Sequence, residues 1–169
     1  MSASQHQQDH QPFESEANVV TSSQESSTFV SICTIDGSVW AVDSSGALLT
    51  TTKGSATWSP ISIQGNTAPL TQVSASGPSN VWVRDTAGTI YFVNQGRLKA
   101  VSGGSHWMSV AGDGSVLSLD ASGQCARLPE GAVNWQPLPP SPQGGLSCVS
   151  QGQGIAVCAL AASGEAIYR

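Results

Sequence analysis

Apolar positions in this chain alternate with polar ones over short runs, and no stretch repeats them at the three- and four-residue spacing of a helix. One run returns four times. Val39-Trp40-Ala41-Val42-Asp43-Ser44-Ser45-Gly46 is followed by Val81-Trp82-Val83-Arg84-Asp85-Thr86-Ala87-Gly88 and by Val116-Leu117-Ser118-Leu119-Asp120-Ala121-Ser122-Gly123. A weaker copy extends from Val157 through Ala161 to Gly164. Each is an extended apolar stretch that ends in a turn. Aspartate at the first turn position caps the backbone with its own side chain, and glycine at the fourth takes the left-handed conformation that re-enters a strand. The four glycines fall 42, 35 and 41 residues apart, a spacing that means an array of β-units rather than an ordinary globular core.

A second apolar element precedes each run: Phe29-x-x-Ile32, Leu70-x-x-Val73, Trp107-x-x-Val110 and Leu146-x-x-Val149. Asp36-Gly37-Ser38, Ser76 to Asn80, Gly112-Asp113-Gly114 and Gln151 to Gly154 join the two, which is the layout of a hairpin. A third strand follows the turn glycine, as in Thr89-Ile90-Tyr91-Phe92 and Glu165-Ala166-Ile167-Tyr168. A fourth begins at Trp58-Ser59-Pro60-Ile61 and Trp135-Gln136-Pro137-Leu138, where proline suits an outer edge that needs no ladder donor. Units of three to four antiparallel strands at this spacing predict an all-β chain, a β-propeller of about four blades. The approximate repeat bounds are 29–66, 67–103, 104–142 and 143–169. The last copy stops at its third strand, and Val19-Val20 precede Phe29 much as Trp58 and Trp135 precede the next repeats. A strand from this N-terminal segment would close the ring; completion by oligomerisation is the other route.

Composition narrows the class. Residues 1–18, rich in Gln, His, Ser and Glu, are expected to be a disordered polar tail, leaving 19–169 for the repeats. Six Lys/Arg stand against eleven Asp/Glu, and the cations are scattered, which excludes phosphate backbones of nucleic acid and anionic membrane surfaces as expected partners. No apolar run approaches the roughly 18 residues of a membrane span, and the polar first residues lack the apolar core of a signal peptide. Cys33, Cys125, Cys148 and Cys158 are then expected as reduced thiols in a cytoplasmic protein. With Val149 opposite Val157, the Cys148 and Cys158 sulfurs would face each other across a hairpin.

No enzyme signature emerges. His106 is the one histidine inside the repeats, and a lone histidine makes neither a triad nor a metal site of three or four ligands. Asp43, Asp85 and Asp120 recur as turn residues on separate repeats, whereas hydrolytic carboxylates must converge on one sugar. No catalytic residue, metal or cofactor is expected.

The consensus Trp-x-x-Ile/Leu, then Leu/Trp-x-x-Val-Ser/Ala, then Val-Trp-x-Val-Asp-x-x-Gly-x-Ile-Tyr resembles the tectonin repeat. Leu70 to Ser74, Val81 to Val83 and Gly88 to Tyr91 form the closest copy, and the resemblance covers about residues 29–169. It implies a propeller that binds without catalysing, since several tectonin-type proteins are sugar-binding lectins and others serve as interaction modules. Such propellers usually have six blades, and four copies are legible here. A small closed ring, a homo-oligomer that completes the propeller and a truncated protein that folds poorly all remain open.

The first expectation is therefore a lectin-like, multivalent glycan binder, and the alternative is a protein–protein interaction module without sugar affinity. Aromatic faces stack on sugar rings. Trp40 and Trp82 occupy equivalent strand positions, where Leu117 and Cys158 replace them, the pattern of a core. Trp58, Trp107 and Trp135 lie nearer strand starts and loops, and with Tyr91 and Tyr168 they make up the candidate ligand-binding set. The loops between repeats differ in length and content, which a sugar site repeated in every blade would not.

Overall fold

The computed structural model describes residues 28–64, 68–142, 144–151 and 157–168, and within them the chain forms antiparallel sheets and no helix. The Val19-Val20 segment lies outside the described residues. Blade 1 comprises β1 (Phe29–Ile35), β2 (Ser38–Asp43), β3 (Leu48–Thr52) and β4 (Ser59–Pro60). Blade 2 comprises β5 (Leu70–Gly77), β6 (Asn80–Asp85), β7 (Ile90–Asn94) and β8 (Arg97–Ser102). Blade 3 follows with β9 (Ser105–Val110), β10 (Val116–Asp120), β11 (Cys125–Leu128) and β12 (Gln136–Pro137), and blade 4 with β13 (Leu146–Gln151), β14 (Val157–Ala161) and β15 (Ala166–Tyr168). Strands pair in chain order within each sheet, the meander of a propeller blade. The proline-bearing strands β4 and β12 sit at the outer edges, where a missing N–H breaks no ladder.

The recurrent aspartates do the turn chemistry. Asp43 Oδ1 accepts the N–H groups of Ser45 and Ala47, both at 2.9 Å, and the Ser45 hydroxyl at 2.6 Å. Asp120 repeats the arrangement with Ser122 and Gln124. Asp113 does the same for Ser115 in the β9–β10 turn and also accepts from Arg127 at 2.6 Å. The serine hydroxyls, with the backbone N–H groups behind them, hold the Asp43, Asp113 and Asp120 carboxyls below their ordinary value. A carboxyl depressed in the folded state stabilises fully above its unfolded value, about 3.9, and loses that contribution as pH falls through the lower folded value. Denaturant melts between about pH 4 and pH 2 should therefore show a shallower fall in stability for Asp43→Ala/Asp113→Ala than for the wild type. Both groups are solvent-screened, so the difference should stay below about 1 kcal/mol per site.

The register is the same in all four blades and fixes which residues meet. Phe29, Leu70, Ser105 and Leu146 open their innermost strands opposite Asp43, Asp85, Asp120 and Ala161, each followed by a bulge. Blade 3 thus begins at Ser105 rather than at Trp107. The counterpart of Val73 is Met108, not Val110, because Met108 faces Ser118 as Val73 faces Val83. The Cys148–Cys158 expectation is also corrected. Gln151 pairs with Val157, which places Cys148 opposite Leu160 and Cys158 opposite Ser150, so the sulfurs do not face each other. All four cysteines are free thiols. Burial pushes Cys33 and Cys125 up to about 11, and a thiol reacts through its thiolate. Timed alkylation near pH 8 should leave these two unmodified until the chain is denatured.

Three apolar seams, one between each pair of successive blades, form the core. The first joins Val42 and Leu48 to Val73, Val81 and Val83. The second joins Trp82 and Ile90 to Met108, Val116 and Leu128, and the third joins Leu117 and Leu119 to Val149. A main-chain bond ties each seam at its end: Leu70 N–H to Gly46 O at 3.2 Å, Ser105 N–H to Gly88 O at 2.9 Å, and Leu146 N–H to Gly123 O at 3.1 Å. Side chains add clips between innermost strands, Ser74 Oγ among them, accepting from Val110 N–H at 3.0 Å. Ser31 Oγ accepts from Val73 N–H at 3.1 Å, the Gln72 amide binds both backbone groups of Met108, and Trp107 Nε1 donates to Val149 O at 3.1 Å.

Candidate functional site

The seam between blades 2 and 3 opens into a cleft of about 550 Å³. Its floor is built on strand register. Trp82 on β6 lies opposite Phe92 on β7, which lies opposite Lys99 on β8, so all three project from one face of blade 2. The Trp82 and Phe92 rings are tilted at 51° with centroids 5.1 Å apart, a favourable aromatic geometry. Trp82 Nε1 donates to Asn80 Oδ1 at 2.7 Å, and Asn80 Nδ2 donates to Ser76 Oγ at 2.6 Å. These bonds fix the indole plane and satisfy its polar atom.

The other wall is the segment after β11. Leu128 is buried beneath it, and Pro129, Glu130, Gly131, Ala132 and Val133 carry the chain along the cleft. An Ala132 N–H to Pro129 O bond of 3.0 Å closes this turn. Val133 at its end is 78% exposed, the most exposed large apolar side chain among the described residues. Lys99 on one wall and Glu130 on the other give the cleft a cation and a carboxylate on opposite sides of an apolar floor. The lining holds no histidine or cysteine. Among the described residues no group of three His, Cys, Asp or Glu is placed to hold a metal ion. Among the described residues no helix is long and apolar enough to cross a membrane.

The sequence-derived candidates are spread over all four blades. Trp58, half-buried, packs on Phe29 with centroids 4.7 Å apart at 48°. Tyr91 donates its hydroxyl to the buried Asp85 at 2.9 Å. Trp107 is 37% exposed and clips blade 4. Trp135 packs against the second seam, as do Phe92 and Val101. Tyr168 closes β15 opposite Cys158. Trp135 also lines a smaller pocket of about 360 Å³ with Ser118, Asp120 and Gln124, and its buried indole N–H has no hydrogen-bond acceptor. Another pocket, beside Gly46, is lined by Ala47, Ile61 and Ile63. The aromatic cleft itself was not anticipated: Trp82 reads as core, and the only outward signal is an apolar valine after Pro129-Glu130-Gly131.

No protein-family model matches the sequence, and neither does any curated protein. Solved structures do. YCF48 bound to D1 peptide is 17% identical, with 83% of this chain covering 48% of that chain at a TM-score of 0.59. Human WBSCR16 is 12% identical, with 86% covering 48% at 0.67. Prp20p from Saccharomyces cerevisiae, described with its binding to Gsp1p and histones, is 9% identical, with 83% covering 43% at 0.64. The chain spans about half the length of each of them. All three are β-propellers, and the fold of this chain is accordingly that of a β-propeller array.

Proposed function

We propose that this chain is a protein-interaction propeller module of tectonin-like repeats, and that it takes an extended peptide segment in the cleft between blades 2 and 3. The observation that carries the reading is the cleft's construction: an aromatic floor of Trp82 and Phe92, an exposed apolar rim at Val133, and opposite charges at Lys99 and Glu130. An apolar side chain of the peptide sits on the indole, and its charged neighbours pair with the two walls, the mix of buried anchor and polar rim typical of such interfaces. That YCF48 binds a peptide and Prp20p binds proteins on the same fold supports this class of ligand.

A phage-displayed library of linear peptides panned on the purified chain tests it. Enriched peptides should lose at least about tenfold in affinity, roughly 1.4 kcal/mol, on Val133→Asp and on Ala100→Glu. Both positions are exposed and line the cleft without belonging to the core. Peptides that bind both variants as tightly as the wild type would rule the cleft out.

A sugar site is the second reading, and Trp135 favours it. Its ring lines a pocket with Asp120 and Gln124, groups that hydrogen-bond hydroxyls, and its buried indole N–H lacks an acceptor. A glycan-array signal abolished by Trp135→Phe would support that site.

A further inference from the structure

Each seam is built from two halves, and among the described residues one copy of each half is left unmated at the ends of the array. The receiving half is a residue on the innermost strand. Val73, Met108 and Val149 hold this position in blades 2, 3 and 4 and are 3%, 1% and 2% exposed. Ile32 holds it in blade 1, opposite Ala41, and is 57% exposed, with Val30 beside it at 55%.

The covering half comes from the second strand of the preceding blade. Val42 and Leu119 cover Val73 and Val149 in their seams. The same register position in blade 4 is Leu160, which is 37% exposed. Two residues before it, Trp40, Trp82 and Leu117 face their next blades, whereas Cys158 at that position is exposed. The turn glycines agree. A β-carbon on Gly46, Gly88 or Gly123 would strike the strand of the next blade, whereas one on Gly164 would meet nothing within 4 Å.

We infer that two copies of this chain close into one ring, with the Leu160 face of blade 4 in each copy packed on the Ile32 face of blade 1 in the other. The complementarity is that of the repeat itself, because Leu160 against Ile32 reproduces Val42 against Val73 and Leu119 against Val149. The bond that ties each internal seam would then run from Phe29 N–H to Gly164 O of the second copy. Neither face carries a charge: Val30, Ile32 and Thr34 on one side, Cys148, Cys158 and Leu160 on the other. A head-to-tail contact of this kind makes a ring where the rotation closes and a filament where it does not. Spanning about half of YCF48, WBSCR16 and Prp20p, the chain supplies about half the turn of such propellers.

Light scattering on the full-length chain, coupled to size exclusion, should give the mass of two chains. Ile32→Arg and Leu160→Arg should each give the mass of one chain while keeping the wild-type circular dichroism, with dimer affinity lowered at least about a hundredfold by the unpaired buried charge. Ile32→Arg/Leu160→Glu, which places opposite charges together at both junctions, should restore the dimer and make it sensitive to salt. Cys158 should alkylate faster in the two single variants than in the wild type.

A wild-type chain that runs as a monomer, or as open polymers, would overturn the inference. So would a dimer that survives both arginine variants. A monomer that dimerises only once residues 1–24 are removed would assign the Ile32 face to the chain's own N-terminal segment, and overturns it equally.

Discussion

Replacing Gly88 by alanine is expected to destabilise the fold by about 4 kcal/mol, against about 1 kcal/mol for Gly37→Ala. Both glycines have left-handed backbones, with φ of +81° and +77°, so both variants carry the strain of a β-carbon in that conformation. What separates them is the neighbouring blade. Gly37 turns β1 into β2 in open space, and an added β-carbon meets nothing within 4 Å. At Gly88 the new atom would lie 2.6 Å from the Ser105 carbonyl oxygen and 3.0 Å from the Ser105 nitrogen. Those are main-chain atoms of the first strand of blade 3, and the strand cannot withdraw without breaking the 2.9 Å bond from Ser105 N–H to Gly88 O. For a domain of this size a kilocalorie moves the melting temperature by about 2–4 °C. Thermal unfolding should thus place Gly88→Ala on the order of 10 °C below the wild type and Gly37→Ala about 3 °C below it. Equal shifts would mean that the next blade is not held over this turn.

The glycine spacing revealed the blades because turn chemistry is local: an Asp-x-x-Gly tetrad needs only its own four residues to form. Strand alternation was legible for the same reason wherever one face is buried. β8 was not read from the sequence. Arg97-Leu98-Lys99-Ala100-Val101 carries two cations and lacks the Trp-x-Pro marker of the other outer strands, yet charge is what keeps an outer edge from pairing with other chains. The displaced start of β9 has a similar cause. Ser105-x-x-Met108 opens on a polar residue and so does not show as an apolar pair, yet Ser105 is buried, its hydroxyl donating to Trp107 O at 2.8 Å. The cleft was illegible because its two walls are far apart in sequence. Trp82 belongs to a strand repeat and Glu130 to a turn, and only the packing of blade 2 on blade 3 brings them together. The candidate aromatics were visible, but their surroundings were not: nothing in the sequence says that Trp107 clips Val149 or that Trp135 lacks an acceptor for its indole.

The same dependence on the seam makes Gln72→Leu the most damaging polar substitution expected here, at about 3 kcal/mol. Gln72 is 9% exposed and acts as an extra peptide group between two innermost strands. Its Nε2 donates to Met108 O at 2.7 Å, and its Oε1 accepts from Met108 N–H at 3.1 Å and from Arg84 Nε at 3.3 Å. Leucine nearly preserves the volume but strands all three partners. Arg84 can least tolerate that, since burial already pushes its guanidinium down from the ordinary value. Gln72→Glu keeps both acceptor contacts and sets a carboxylate beside Arg84, but turns an oxygen toward Met108 O in place of the donor, so it should cost about 2 kcal/mol. Urea denaturation monitored by circular dichroism would rank the two variants. The loss should also reach the cleft, although Gln72 does not line it. Met108, which the amide holds, packs in the same cluster as Trp82, so a loosened Met108 strand leaves the indole floor less well ordered. Peptides selected on the wild type should bind Gln72→Leu more weakly at temperatures where it is still folded, and Gln72→Glu almost as well as the wild type. A Gln72→Leu variant that is destabilised yet binds those peptides unchanged would show that the cleft does not depend on this seam, and would return the search for the binding surface to the outer walls formed by Lys99 and Val133.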